Sequence, residues 1–209
     1  MGNTRNNTLA HVLLWTALAW TGCEADRPDT APPVLHTPGM VAANHPLAAQ
    51  VGYEVLRQRG NAVDAAVATA AALGTVEPYL SGIGGDGIAA IYIAETDEVH
   101  ILNFSGRAPA ALTAAHFPDG IPARGALASL VPGALMGWET MRARFGSKSL
   151  AELLQPAIEL AEQGYALTEF AAEQHAAAAN AFRAHDAAGA AAWWAGQASP
   201  PPAGGAALR

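Results

Sequence analysis

The stretch GNAVDAAVATAAALGTVEPYLSGIGGDG, residues 60–87, sets an alanine-rich apolar segment directly before a glycine-rich loop. Gly60 is expected to stop a preceding helix. Asn61 can cap the next one, with Asp64 three residues later near the positive end of the helix dipole. From Ala62 to Leu73 the residues are apolar almost all round, which predicts a helix packed on more than one side by close neighbours. Glu77-Pro78 breaks this pattern, and residues 82–87 follow as the loop. Closely spaced glycines let a backbone approach a pyrophosphate, but a dinucleotide fingerprint runs strand, loop, helix, and here the order is helix, loop, strand. The glycines are therefore expected to let the loop pass tightly under its neighbours or line a pocket with bare backbone.

Upstream, Met40 to Ala43 is a short apolar run that predicts the start of a strand. Pro46 suits a first helical turn, and Leu47, Val51, Val55 and Leu56 fall on one side of the helix it would open. Downstream, Ile88 to Ala94 and Val99 to Phe104 read as two strands joined through Glu95-Thr96-Asp97-Glu98 as a hairpin, closed by Ser105-Gly106-Arg107-Ala108-Pro109. Helices are predicted from Ala134 to Arg144, ended by Gly146, and from Leu150 to Gln163, ended by Gly164, with a third starting at Thr168. Pro156 requires the middle one either to kink or to begin only there. After about Ala171 the chain is alanine-rich, and from Ser199 to Gly205 it is otherwise Pro, Gly and Ala without periodicity.

Composition narrows the function. The 209 residues, 51% hydrophobic, suffice for one large domain or two small ones. With 11 Lys+Arg against 18 Asp+Glu, the net charge of −7 provides no basic surplus to neutralise phosphates, so no nucleic-acid partner is assigned. The seven His form no His-x-x-x-His pair and the one cysteine rules out a thiolate cluster, so neither a metal nor a cofactor is assigned.

Residues 1–22 have the layout of a secretory signal: a polar start with Arg5, an apolar run from Leu9 to Trp20, then Thr21-Gly22 before Cys23. The run is shorter than the roughly 20 residues a membrane span needs. Gly22-Cys23 resembles the end of a bacterial lipoprotein signal, in which the thiol takes a lipid and becomes the new N-terminus. Trp20 departs from that pattern, where an aliphatic residue is usual. The alternative is an ordinary signal with an incidental cysteine. Lipidation at Cys23 would make the protein exported, periplasmic or at the cell surface, and membrane-anchored. Residues 23–38, rich in Pro, Asp and Thr, read as an extended tether, and the folded part is expected over 39–209.

Among candidate binding groups, Arg107 stands at a strand end beside a small-residue turn, where a guanidinium can make a bidentate contact to a carboxylate. It can equally be a surface residue or pair with a residue such as Asp86. Asp64, Glu77 and Asp86 have flanks that suit caps and turns better than paired acid–base work.

Several of these motifs together resemble the gamma-glutamyltransferase family. They are Gly39 to Ala42 with His45 to Ala48, Gly60 to Ala68, Glu77-Pro78, Ser81 to Asp86, Ala108-Pro109, Val131-Pro132-Gly133 and Pro156 to Gly164, in the family's order and spacing. The resemblance implies an α+β N-terminal nucleophile hydrolase: an αββα sandwich with two sheets between helices, made as a precursor that cuts itself into a large and a small subunit. It further implies a threonine nucleophile whose own amine serves as base, attacking a gamma-glutamyl amide such as that of glutathione and passing the acyl group to water or an amino acid. Backbone N–H groups would steady the oxyanion.

Two departures follow. The family's nucleophile lies in a Thr-Thr-His-type segment at the start of the small subunit, and this sequence has no Thr-Thr pair. The residues thus match the front of the large subunit, with the fold incomplete, the nucleophile expected beyond Arg209, and no turnover expected of this chain without its small subunit. The family's arginine that grips the substrate α-carboxylate precedes Ala-Pro by three residues, and that position holds Ser105. Arg107 lies two residues later. Ser105 and Arg107 are the candidate substrate-binding residues. A hydrolase of a non-glutamyl amide, or a lipid-anchored binding module without catalysis, are the alternatives.

Overall fold

The computed structural model describes residues 39–193. The signal segment 1–22, Cys23, the tether 23–38 and residues 194–209 lie outside the described residues.

Helix α1, Pro46–Arg57, starts with proline at its first position, and its N-cap is His45, whose Nδ1 accepts from Leu47 N at 3.2 Å. The helix stops three residues before Gly60. Arg59 takes the left-handed conformation (φ 62°) that usually falls to glycine, while Gly60 N donates to Val55 O at 2.9 Å. Gly60 is needed for a different reason, since a Cβ there would press on Val55.

Helix α2, Ala62–Val76, opens with a full capping box: Asn61 Oδ1 accepts from Val63 N and Asp64 N, and Asp64 accepts from Asn61 N. Its all-round apolar surface is matched by neighbours on several sides, because α1, α3 (Ala134–Phe145) and α4 (Leu150–Gln163) all pack on it. Alanine makes this possible. At Gly52 of α1, an added Cβ would collide with Thr69 of α2, so the two backbones approach closely.

Strands β1, Ile88–Ile93, and β2, Glu98–Asn103, form an antiparallel hairpin in register from Ile88↔Asn103 to Ile93↔Glu98. One face, with Ala89, Ile91 and Leu102, packs on the main core around Val67, Trp138, Met141 and Leu153. The opposite face exposes Ile88, Tyr92, Val99 and Ile101, each between 60% and 67% accessible.

Residues 104–133 contain only two short 3₁₀ turns, at Ala114–His116 and Ala126–Ala128. Helix α4 begins at Leu150 with a Ser149–Glu152 capping box and passes through Pro156. Helices α5, Glu169–His185, capped by Thr168, and α6, Ala187–Trp193, take up the alanine-rich remainder. A second core, with Ala48, Val76, Tyr165 and Leu167, joins α1 and α2 to the α4–α5 connection, and Tyr165 OH donates to Thr75 O at 2.8 Å. Burial pushes that phenol up to about 12.

The strand expected at Met40 to Ala43 is not formed. These residues carry no ladder, and the described sheet has only β1 and β2. Apolar composition supports a strand only where a neighbouring strand takes up its backbone groups, and here Val41 packs as a side chain against the core instead.

Candidate functional site

Three segments meet at the end of the hairpin where β1 begins and β2 ends. Phe104 N donates to Gly87 O, Val131 N donates to Arg107 O, and Gly133 N and Ala134 N both donate to Gly85 O, each at 3.0 Å. The glycine-rich loop thus accepts two of the four donors that the start of α3 would otherwise leave unpaired. Contact is backbone to backbone: a Cβ on Gly106 would strike the Val131 carbonyl, and one on Gly133 the Phe104 carbonyl. The Phe104 ring fills the remaining space against Gly87 and Gly137. Both expectations for the glycines are met, since Gly85 passes under α3 while Gly82 and Gly84 face open space.

Beside this junction lies a trough of about 920 Å³, lined by residues 81–86 and by Gly74, Thr75, Trp138, Leu154 and Ile158 among others. Glycine backbone at 82, 84 and 85 together with apolar side chains forms a surface for an extended or apolar group, with Asp86 the one charged side chain along it.

Ser105 and Arg107 are both exposed, on the turn leaving β2. Ser105 N donates to Asn103 Oδ1 at 2.9 Å, and the Arg107 carbonyl is held by Val131 N. The backbone of this turn is fixed while both side chains stay outside the trough lining. Among the described residues no ion pair joins Arg107 to Asp86.

The three acids are not brought together. Asp86 is exposed on the loop, and Glu77 is bound by Asn44. Asp64 is fully buried and accepts from Ser147 N, Ser147 Oγ (2.6 Å), Lys148 N and Asn61 N. Burial acts to raise the Asp64 carboxyl, but these hydrogen bonds outweigh it and hold the group below its ordinary value. Asn61 adds a second tie, donating from Nδ2 to Phe145 O at 2.6 Å. The cap of α2 is thereby clamped to the α3–α4 turn, and all three helices contribute residues to the trough's lining.

Sequence reasoning missed Ser147, the partner of Asp64, and the buried polar residues His45, Glu77 and His175, with Asn44 bonded to Glu77 from an exposed position. The Asn44-His45-Pro46 run was the available signal for the latter, as polar residues ahead of a helix-opening proline.

Residues 48–208 match the model of the gamma-glutamyltranspeptidase family. The glutathione hydrolase proenzyme of Bacillus subtilis (strain 168) is 41% identical over 65% of this chain and 24% of its own length. The acylase ACY 1 proenzyme of Pseudomonas sp. (strain SE83) is 44% identical over 63% of this chain and 26% of its own. The crystal structure of Helicobacter pylori gamma-glutamyltranspeptidase superposes with a TM-score of 0.78 at 34% identity, covering 83% of this chain and 51% of that one. The chain therefore spans about a quarter of the length of these curated relatives.

Proposed function

Because the chain belongs to the gamma-glutamyltranspeptidase family, we propose that the whole protein is an amidohydrolase working through a threonine acyl-enzyme, and that these residues form the front of its large subunit. The fold is the αββα type of N-terminal nucleophile hydrolases, represented here by helices and one hairpin. The observation that carries the reading is the junction of residues 85–87, 104–107 and 131–134. Three motifs far apart in sequence are locked there through backbone contacts that tolerate no Cβ at Gly106 or Gly133. Such a junction fixes the Ser105–Arg107 turn, and a fixed turn is what a substrate-gripping side chain requires.

The proposed reaction takes a gamma-glutamyl or related amide. A threonine of the small subunit, made in the same precursor and released by autocleavage, attacks the carbonyl, and water or an amino acid receives the acyl group. Small amides such as glutathione are the proposed substrates. Export and membrane attachment through a lipid on Cys23 complete the proposal.

A second reading keeps the chemistry and changes the acyl group. Ser105 stands where the family's carboxylate-gripping arginine is expected, and serine offers one neutral hydrogen bond where arginine offers two charge-assisted ones, each about twice as strong. The similarity to an acylase proenzyme supports this reading as much as the glutathione hydrolase supports the first.

The test is to purify the complete protein, follow autocleavage by mass, and compare hydrolysis of a gamma-glutamyl anilide with that of an acyl anilide lacking the α-carboxylate. Cleavage into two subunits with turnover of either substrate supports the amidohydrolase, and the preferred substrate separates the two readings. An uncleaved protein with neither activity sinks both.

A further inference from the structure

Strand β2 ends at Asn103, opposite Ile88, and one more backbone bond, from Phe104 N to Gly87 O, closes the hairpin. Beyond that point no backbone carbonyl among the described residues takes Ser105 N. The Asn103 side chain does so instead, its Oδ1 lying 2.9 Å from Ser105 N. A side-chain oxygen that accepts from the backbone two residues on mimics a backbone turn and bends the chain out of the strand direction.

The rest of the turn is held by other means. Gly106 lies against the Val131 carbonyl, where no Cβ fits, and Arg107 O accepts from Val131 N at 3.0 Å. Those contacts are backbone to backbone and reach the turn from its downstream side. At the Ser105 end the holding group is a side chain, and a substitution can remove it. The side chains of Ser105 and Arg107 are exposed, so packing does not set their direction and the backbone of the turn does. Asn103 is itself exposed, so its loss leaves no cavity, and the effect falls on the turn rather than on the core.

We propose that Asn103 is a positioning residue for substrate selection: by holding Ser105 N it directs the Ser105 side chain and the part of the turn that meets the acyl group. This rests on the reading of the Ser105–Arg107 turn as the substrate-binding turn. A turn held in advance spares the substrate the cost of ordering it. A grip on the acyl group remote from the scissile amide is the same in the ground and transition states, so loosening it raises KM and leaves kcat in place.

The test is the steady-state kinetics of the complete protein on each of the two anilides that the wild type turns over. Asn103→Ala should raise KM by roughly threefold to tenfold, the worth of one such hydrogen bond, with kcat within about twofold of wild type. Asn103→Ser, whose hydroxyl makes the same bond more weakly, should bring KM back towards the wild-type value without adding charge. A measurement on the wild type needs no variant to mature: the Ser105 amide, though exposed, should exchange its hydrogen roughly tenfold or more slowly than an open-chain amide. An unchanged KM in Asn103→Ala, a fall in kcat at unchanged KM, a KM no better in Asn103→Ser than in Asn103→Ala, loss of maturation in both variants, or open-chain exchange at Ser105 overturns the proposal. If the wild type turns over neither anilide, the amidohydrolase reading fails and the positioning role fails with it. If it turns over either one and any of those outcomes appears, the positioning role alone fails.

Discussion

Replacing Asp64 by Asn tests whether the α2 cap and the α3–α4 turn are held by one carboxylate. Asn keeps one acceptor, which can continue to serve Ser147 N and Lys148 N, on the Oδ1 side. On the Oδ2 side the new NH2 meets Asn61 N and Ser147 Oγ. The hydroxyl can turn and accept, but Asn61 N–H cannot, so one backbone donor is left facing another donor at a cost of about 1–3 kcal/mol. The remaining bonds also lose their charge assistance, which roughly halves them. The sum is about 2–4 kcal/mol, and at roughly 2–4 °C per kcal/mol for a chain of this size, Tm should fall by about 5–15 °C. The pH dependence carries the same signature. The folded pKa of Asp64 lies below its ordinary 3.8, so its contribution is complete above that value and is lost as pH falls through the lower, folded one. Thermal unfolding followed by circular dichroism between pH 7 and 2.5 should show a steeper acid loss in wild type than in Asp64→Asn. A variant within about 1 °C of wild type at pH 7, or with an unchanged acid slope, would refute the account.

Four further outcomes are expected. Gly133→Ala puts a methyl against the Phe104 carbonyl and should cost about 1–3 kcal/mol of stability, read as a lower urea midpoint. His175 is buried and its pKa is lowered by desolvation, so below its ordinary 6.5 the unfolded chain takes up the proton first and stability declines as pH falls towards the folded value. His175→Phe should flatten that decline, and an unchanged profile between pH 7 and 5 counts against it. In the complete protein, Ser105→Arg should raise kcat/KM for a gamma-glutamyl anilide roughly tenfold, the worth of about 1.4 kcal/mol, while Arg107→Ala changes it little; loss of activity in Arg107→Ala instead would make Arg107 the clamp. Cys23→Ser should move the mature protein from the membrane to the soluble fraction, and unchanged partitioning argues against lipid at Cys23.

Features governed by neighbours a few residues apart were legible in the sequence. Asn61 with Asp64 and Thr168 ahead of α5 cap the helices they were expected to open, because a cap closes within three residues. The hairpin strands end within one residue of their expected limits for the same reason, their polar turn lying between two apolar runs. The end of α1 was harder: Gly60 drew attention as a stop, but the left-handed residue is Arg59, and the glycine answers to the Val55 side chain and carbonyl folded over it.

The candidate sites depend on pairings that no local pattern encodes. Asp64 reads as a cap residue, yet its bonds to Ser147, 83 positions away, join the start of α2 to the α3–α4 turn. Glu77 reads as a helix end, yet Asn44, 33 positions earlier, donates to both of its oxygens. In both cases the carboxylate has more acceptor positions than its own helix uses, and burial makes the surplus costly unless a distant donor arrives. A buried carboxylate at a helix end is thus where long-range order is imposed on local structure. The glycines follow the converse rule: Gly85, Gly106 and Gly133 have no side chain to satisfy, so three backbones can close on one another and hold the Ser105–Arg107 turn. Ser105 and Arg107 leave this turn as exposed side chains, so under the proposed function an exchange of either would test substrate preference without disturbing the backbone that presents them.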